Sequence, residues 1–207
     1  MKTIGLSGGI SCGKSSVARI LESLGVPIID ADQVAREIVS VGQEALKEIE
    51  EHFGSNILTP EGNLDRKALG AIVMQDAKQR KALERITHPK IKLSILHQLL
   101  SLKQDGHRAA VVEAALMVET GSFKQYDALI IVSCHPEIQE ERLMKREGFS
   151  REEAQRWIAS QLPLAEKEKH ADWLINNSFD QQTLLRTVEK GWSKLLIALE
   201  SAPSTSK

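Results

Sequence analysis

Gly8-x-x-x-x-Gly13-Lys14-Ser15 sets two glycines, a lysine and a hydroxyl at the spacing of a loop that wraps a phosphate chain. The chemistry asks for these residue types. Successive backbone N–H groups must curl around phosphate oxygens, and glycine permits the φ angles and the close approach this needs. Lys14 can reach the β- and γ-phosphates, and the Ser15 hydroxyl can bind Mg²⁺. A β-prone run, Thr3 to Leu6, precedes the loop, and Val17, Ile20, Leu21 and Leu24 follow it at helical spacing. Strand, loop and helix in that order aim the positive end of a helix at the phosphates. A Gly/Ser-rich turn that happens to precede a helix is the alternative, and it leaves the complete motif unexplained.

Ligands of open parallel sheets bind at the carboxyl ends of the strands, so polar residues at those ends are the next candidates. Asp30 and Asp32 follow the apolar run Val26–Ile29, and Glu113 follows Ala109–Val112. Asp32 is the candidate general base, because phosphoryl transfer to an alcohol needs a carboxylate that orients the hydroxyl and takes its proton. The same residue would also serve as the N-cap of the next helix. Asp30 and Glu113 either hold Mg²⁺ through water or cap their strands, and the sequence leaves both open. Arg142 and Arg146 lie one helical turn apart on one face, suited to a lid that neutralises transferring phosphate. A solvated helix with a Glu141–Lys145 pair is the alternative there. His52, His97, His107, His135 and His170 show no ligand spacing, and His88-Pro89 reads as a helix start.

The elements that must position these residues form an alternating pattern. Gly25 ends the first helix, and a helical stretch through Val34, Ile38 and Val39 follows the second strand. From Gln43 to about Leu102 four helices are expected: one with Ala45, Leu46, Ile49 and Phe53, and a second with Leu69, Ile72 and Val73. A third carries Ala82, Leu83 and Ile86, and Pro89 opens the fourth. So many helices between consecutive strands exceed a simple crossover and predict a helical subdomain. The α/β pattern resumes with strands at Ala109–Val112, Leu129–Ser133 and Trp173–Ile175. Between the last two lie a charged helix opened by Pro136 and, after Gly148, one opened by the capping box Ser150 to Glu153 and reaching Leu162. Leu184, Val188, Trp192, Leu195 and Leu199 form a core stripe on the closing helix, and Ser201 onward reads as a frayed tail. The fold class is α/β, three-layered around a five-stranded, mainly parallel sheet. The boundaries read as a core over 1–32 and 105–207, with a lid at about 137–165, and a helical insertion over 33–104.

The 207 residues carry 27 Lys and Arg against 28 Asp and Glu, a net charge of −1 that points to no general nucleic-acid or anionic-membrane partner. Cys12 and Cys134 form no metal-ligand pattern, and one lies inside the phosphate loop, so reduced thiols in a cytosol are expected. No apolar run approaches a membrane span and Met1-Lys2 leads straight into a strand, so a soluble cytoplasmic protein is expected. A monomer is favoured.

At these residues the chain resembles the dephospho-coenzyme A kinase family over nearly its full length. The resemblance rests on the phosphate loop, Asp30-Ala31-Asp32-Gln33-Val34-Ala35-Arg36, His88-Pro89, and Val111 to Glu119. Gln139 to Leu143 with Arg146, then Gln161, Lys167, Ala171-Asp172 and Ile175 to Ser178 complete it. It implies a P-loop kinase core with strand order 2-3-1-4-5, a helical coenzyme-binding insertion and a helical lid. The implied reaction moves the ATP γ-phosphate to the ribose 3′-hydroxyl of dephospho-coenzyme A, with Mg²⁺ as cofactor. By position, Asp32 is the implied base, and Gly9, Ile10, Ser11, Cys12, Gly13, Lys14, Ser15 and Ser16 serve ATP with Arg142 and Asn177. Arg142 and Arg146 are implied as lid arginines, and Arg36, His88 and Glu119 join Asp32 on the acceptor side. Two positions depart from the family pattern: Ala115 stands where proline is usual and Glu113 where aspartate is usual. A kinase for another small hydroxyl substrate, such as shikimate or gluconate, is the nearest rival. A GTP-dependent switch would require Asn-Lys-x-Asp and an Asp-x-x-Gly after the third strand, neither of which this sequence carries.

Overall fold

The computed structural model describes residues 1–201, and the expected tail beyond Ser201 lies outside them. Five strands form one sheet: β1 (Lys2–Gly8), β2 (Ile28–Asp30), β3 (Ala109–Glu113), β4 (Ala128–Ser133) and β5 (Trp173–Asn176). Their order is β2-β3-β1-β4-β5, as the resemblance implies, and β1 pairs in parallel with both β3 and β4.

Register is pinned by the same device at two places. Asp127, just before β4, accepts the Thr3 N–H at 2.6 Å while its own N–H donates to Thr3 O at 2.8 Å. Asp172, just before β5, accepts from Leu129 N at 2.8 Å and donates to Leu129 O at 2.9 Å. Each aspartate side chain supplies the acceptor that the strand lacks at its first rung. A one-residue slip would turn every side chain to the other face, so these pins align the carboxyl ends. Leu6 stands opposite Glu113, Gly8 opposite Val132, and Ser133 opposite Asn176.

Alternation along the strands builds the core. Ile4, Leu6, Val111, Ile130, Val132 and Ile175 are buried in one cluster with Val17 and Leu21 of helix α1 (Lys14–Ser23). The stripe expected on the last helix completes that cluster, through Leu184, Val188 and Trp192. The second strand begins later than expected because Val26 closes α1: it donates to Leu21 O at 3.1 Å while Gly25 donates to Glu22 O at 2.9 Å, a Schellman ending.

The chain divides into two compact units, one running from Met1 to Ile29 and resuming at Leu102, the other Asp30–Ser101. The second is helical: α2 (Ala31–Glu37), α3 (Glu44–Phe53), α4 (Arg66–Gln75) and most of α5 (Ala77–Gln104). Its core holds Val39, Ala45, Ile49, Ile57 and Leu69. The expectation that Pro89 opens a new helix is corrected: α5 is one 28-residue helix with Pro89 inside it. Proline there removes a single donor, the one that would reach Arg85 O. Leu83 and Ile86, packed on the core, hold the preceding turns in place.

In the first unit the remaining helices are α6 (Pro136–Glu147), α7 (Arg151–Ala159), α8 (Leu164–Glu168) and α9 (Gln181–Ser201). The Ser150–Glu153 capping box forms as expected, but α7 stops at Ala159, short of the expected Leu162, and a short α8 that was not expected follows Pro163.

Gly191 on α9 lies beneath Trp173, and an added Cβ would fall inside van der Waals contact of the indole, 2.6 Å from Cε2. Gly→Ala in a helix ordinarily stabilises by about 1 kcal/mol. Here overpacking, at roughly 1–3 kcal/mol, wins. Gly191→Ala should therefore lower the urea midpoint, and a raised midpoint would show that the ring yields freely.

Candidate active site

The phosphate loop runs from the end of β1 to the start of α1, and side chains from outside it hold its carbonyl groups. Lys167 Nζ donates to Gly8 O at 3.3 Å, Gln139 Nε2 to Ile10 O at 2.9 Å, and Asn177 Nδ2 to Cys12 O at 2.8 Å. The Ile10 N–H bonds Gln161 Oε1 and the Cys12 N–H bonds Gly9 O, and fixing the carbonyls outward leaves the other loop N–H groups to the concave side, an anion-binding nest. The nest continues into α1. Gly13 is its N-cap, with φ +92°, and no side chain caps the first turn, so its orphan N–H groups stay open to an anion. A Cβ on Gly13 would collide with the Asn177 amide. Ser11 has φ +56°, the one positive φ among the described non-glycine residues, and its hydroxyl is buried without a partner among them. Strain and an orphaned polar atom in one residue mark the loop as built for a ligand rather than for stability.

Lys14 Nζ donates to Glu113 Oε1 at 2.7 Å, and the two side chains are 16% and 11% exposed. The longer Glu113 thus brings its carboxylate to the phosphate-loop lysine. Ser15 is exposed and Ser16 donates its N–H to Gly13 O at 3.0 Å. Arg142 Nη1 donates to Asn177 O at 3.0 Å and comes within 3.9 Å of the Cβ position of Gly13. Arg146 is not brought to the loop by these contacts; its Nε binds Glu147 Oε1 at 2.7 Å on an exposed face. Glu119 Oε1 lies 2.6 Å from Lys167 Nζ and accepts the Leu162 N–H at 3.3 Å.

In the helical unit the capping question is resolved. Asp30 is the N-cap of α2, its Oδ1 accepting from Asp32 N at 2.8 Å and Gln33 N at 3.1 Å. Asp32 sits in the first turn with its side chain exposed, and Arg36 is exposed one turn on. His88 lines a depression with Lys81, Glu84, Arg85 and Pro89.

The family model for dephospho-CoA kinase matches residues 2–182. The chain belongs to the dephospho-CoA kinase family. It is 44% identical to a dephospho-CoA kinase of Geobacter sulfurreducens over 194 residues, covering 94% of this chain and 98% of that one. Among solved structures it resembles a dephospho-CoA kinase from Campylobacter jejuni, with TM-score 0.73, 32% identity, and 95% and 98% of the two chains covered. The protein TT1252 from Thermus thermophilus is similar at TM-score 0.79 and 31% identity, covering 94% and 97%.

Four residues around the loop escaped residue-level reasoning. Gln139, Gln161 and Lys167 sit in charged helical sequence where no periodicity sets them apart, and Cys134 is far from Cys12 in the chain. The two sulfurs lie 3.3 Å apart, both buried. Their mutual hydrogen bond holds Cys134 below the usual thiol range, helped by the Arg142 guanidinium, whereas the same contact and burial push Cys12 up. Raising the pH therefore ionises Cys134 first. Under limiting N-ethylmaleimide, peptide mass spectrometry should find Cys134 labelled ahead of Cys12, and the reverse order would contradict this arrangement.

Proposed function

We propose that this chain transfers the γ-phosphate of ATP to the ribose 3′-hydroxyl of dephospho-coenzyme A, yielding coenzyme A and ADP, the last step of coenzyme A synthesis. The observation that carries it is the uncapped, strained phosphate loop in a chain of this family. The loop N–H groups, Lys14 and the first turn of α1 bind the triphosphate, with Asn177 and Arg142 bracketing the loop on the nucleotide side. Asp32, free of capping duty, orients the acceptor hydroxyl and takes its proton. Arg36, His88 and Glu119 are proposed for the acceptor side.

The residues beside the loop fit Mg²⁺. That ion typically takes one or two protein oxygens and fills the rest of its octahedron with phosphate and water. Ser15 offers a hydroxyl, and Glu113 a carboxylate that it shares with Lys14. Asp30 commits one oxygen to its helix cap. When bound, Mg²⁺ supplies charge neutralisation at the β- and γ-oxygens. The protein's own contribution is positional: Lys14 and the loop fix the leaving oxygen, Asp32 the attacking one. Arg142, followed by Arg146 on lid movement, meets charge on the transferred group.

No helix among the described residues is long and apolar enough to cross a membrane. Cytoplasmic location and a monomeric working unit belong to the proposal. It draws on the two unbridged thiols, one of them inside the loop, and on the near balance of charge.

An assay of ADP release with Mg-ATP and a panel of dephospho-coenzyme A, shikimate, gluconate and nucleosides tests the substrate directly. Only dephospho-coenzyme A should support turnover, and preference for a small polyol acid would replace this reading with its rival. In that assay Asp32→Asn should lower kcat by roughly 10²–10⁴-fold with ATP affinity kept, the range for a lost positioned base. Near-normal turnover would remove Asp32 from that role. Arg142→Ala should cost roughly 10²-fold, the scale of a lost charge-stabilising donor, and Arg146→Ala less, because only Arg142 already meets the loop. Equal losses would show that both arginines reach the phosphate to the same extent.

A further inference from the structure

Lys167 is the one fully buried charged side chain among the described residues, and the phosphoryl-transfer chemistry above makes no use of it. Its exposure is 0%, its ion pair with Glu119 is 2.6 Å long, and the Glu119 side chain is 21% exposed. Burying an ammonium costs several kcal/mol, which a single carboxylate offsets only with good geometry and further hydrogen bonds. Those further bonds are the informative part. With one N–H on Glu119, Nζ shares its other two among Gly8 O at 3.3 Å, Ala115 O at 3.4 Å and Gln161 Oε1 at 3.4 Å. The same Gln161 Oε1 accepts the N–H of Ile10 at 3.2 Å, while Gln139 Nε2 takes the Ile10 carbonyl at 2.9 Å. Thus both backbone groups of Ile10 are held by side-chain amides, one from α6 and one from the segment between α7 and α8. The cation fixes which way the second amide faces: with two donors converging on it, only the oxygen of Gln161 can sit there. It also polarises that amide, which strengthens the bond to Ile10.

We propose that Lys167 is a positioning residue for the phosphate loop, acting through Gln161 on Ile10 and directly on Gly8, with Glu119 as its counter-ion. Any buried ammonium needs acceptors besides its counter-ion; what is particular here is that they are a carbonyl of the phosphate loop and the same amide oxygen that holds Ile10. This charge is shared among the first turn of the loop, the segment after β3 and the segment before α8, so it sets the loop's curvature from the side opposite the ligand. The proposal rests on reading the loop as the cradle of a nucleotide's phosphate tail.

Calorimetric binding of ADP tests it without requiring turnover. Gln161→Leu keeps the ion pair but removes the relay, and ADP should bind about tenfold more weakly, with a melting temperature lowered by less than in Lys167→Met. That weakening is the scale of losing one hydrogen bond to a half-buried backbone donor. Lys167→Met alone strands the Glu119 carboxylate and should lower the melting temperature. Lys167→Met/Glu119→Gln removes both charges and should recover most of the stability while ADP affinity stays about tenfold low. A merely structural ion pair would let affinity recover together with stability. Parent-like ADP affinity in folded Gln161→Leu overturns the proposal, as does parent-like affinity in the folded double variant. If the parent protein itself binds no ADP, the cradle reading has failed, and that result is distinct from both.

Discussion

A backbone that binds phosphate through its N–H groups has to dispose of its carbonyl groups somewhere else. Here Lys167, Gln139 and Asn177 take the carbonyls of Gly8, Ile10 and Cys12. These contacts on both sides of Ser11 over-determine the loop, the condition under which its strained φ persists. Much of the first unit can be understood as scaffolding for them. α6 brings Gln139, the break between α7 and α8 brings Gln161, α8 brings Lys167, and the end of β5 brings Asn177. Donors gather behind the loop, with Gln161 Oε1 the one acceptor among them, on the Ile10 N–H.

Strand register makes that gathering possible. The aspartates before β4 and β5 lock neighbouring strands at their first rungs, so the last residues of β1, β4 and β5 arrive together, and the ladder to β1 brings in β3. Glu113 then stands beside Lys14, and Asn177 beside Cys12 and Arg142. The buried aliphatic cluster under this edge resists a slip, because a shift by one residue would take Ile4, Leu6, Ile130 and Val132 together out of their packing with Val17 and Leu21.

Much of the fold could be read from the chain. The strands are short runs of Val and Ile that end in polar residues, and the phosphate loop carries its own signature. The capping box at Ser150 and the Leu184-to-Leu199 stripe declare themselves by spacing. What stayed hidden depends on distance in the chain or on local balances. Pro89 looks like a boundary because its penalty is local, while the turns on both sides are anchored by packing that no window of sequence displays. Asp30 and Asp32 compete for one cap, and two residues of offset decide it. Cys12 and Cys134 meet only because β1 and β4 are neighbours. Lys167 reads by residue chemistry as one more surface lysine in a charged segment; the resemblance includes it without a role, and its burial sets it apart. At the candidate site, Lys14, Ser15 and Arg142 could be named from residue chemistry, whereas the residues that restrain the loop could not.

Phosphorus NMR of a single reaction containing this protein, Mg-ATP and dephospho-coenzyme A tests the central claim most directly. The account predicts a new phosphomonoester resonance on the ribose 3′-oxygen, growing in step with ADP. Inorganic phosphate appearing in its place, or an ATP spectrum that does not change, would contradict it.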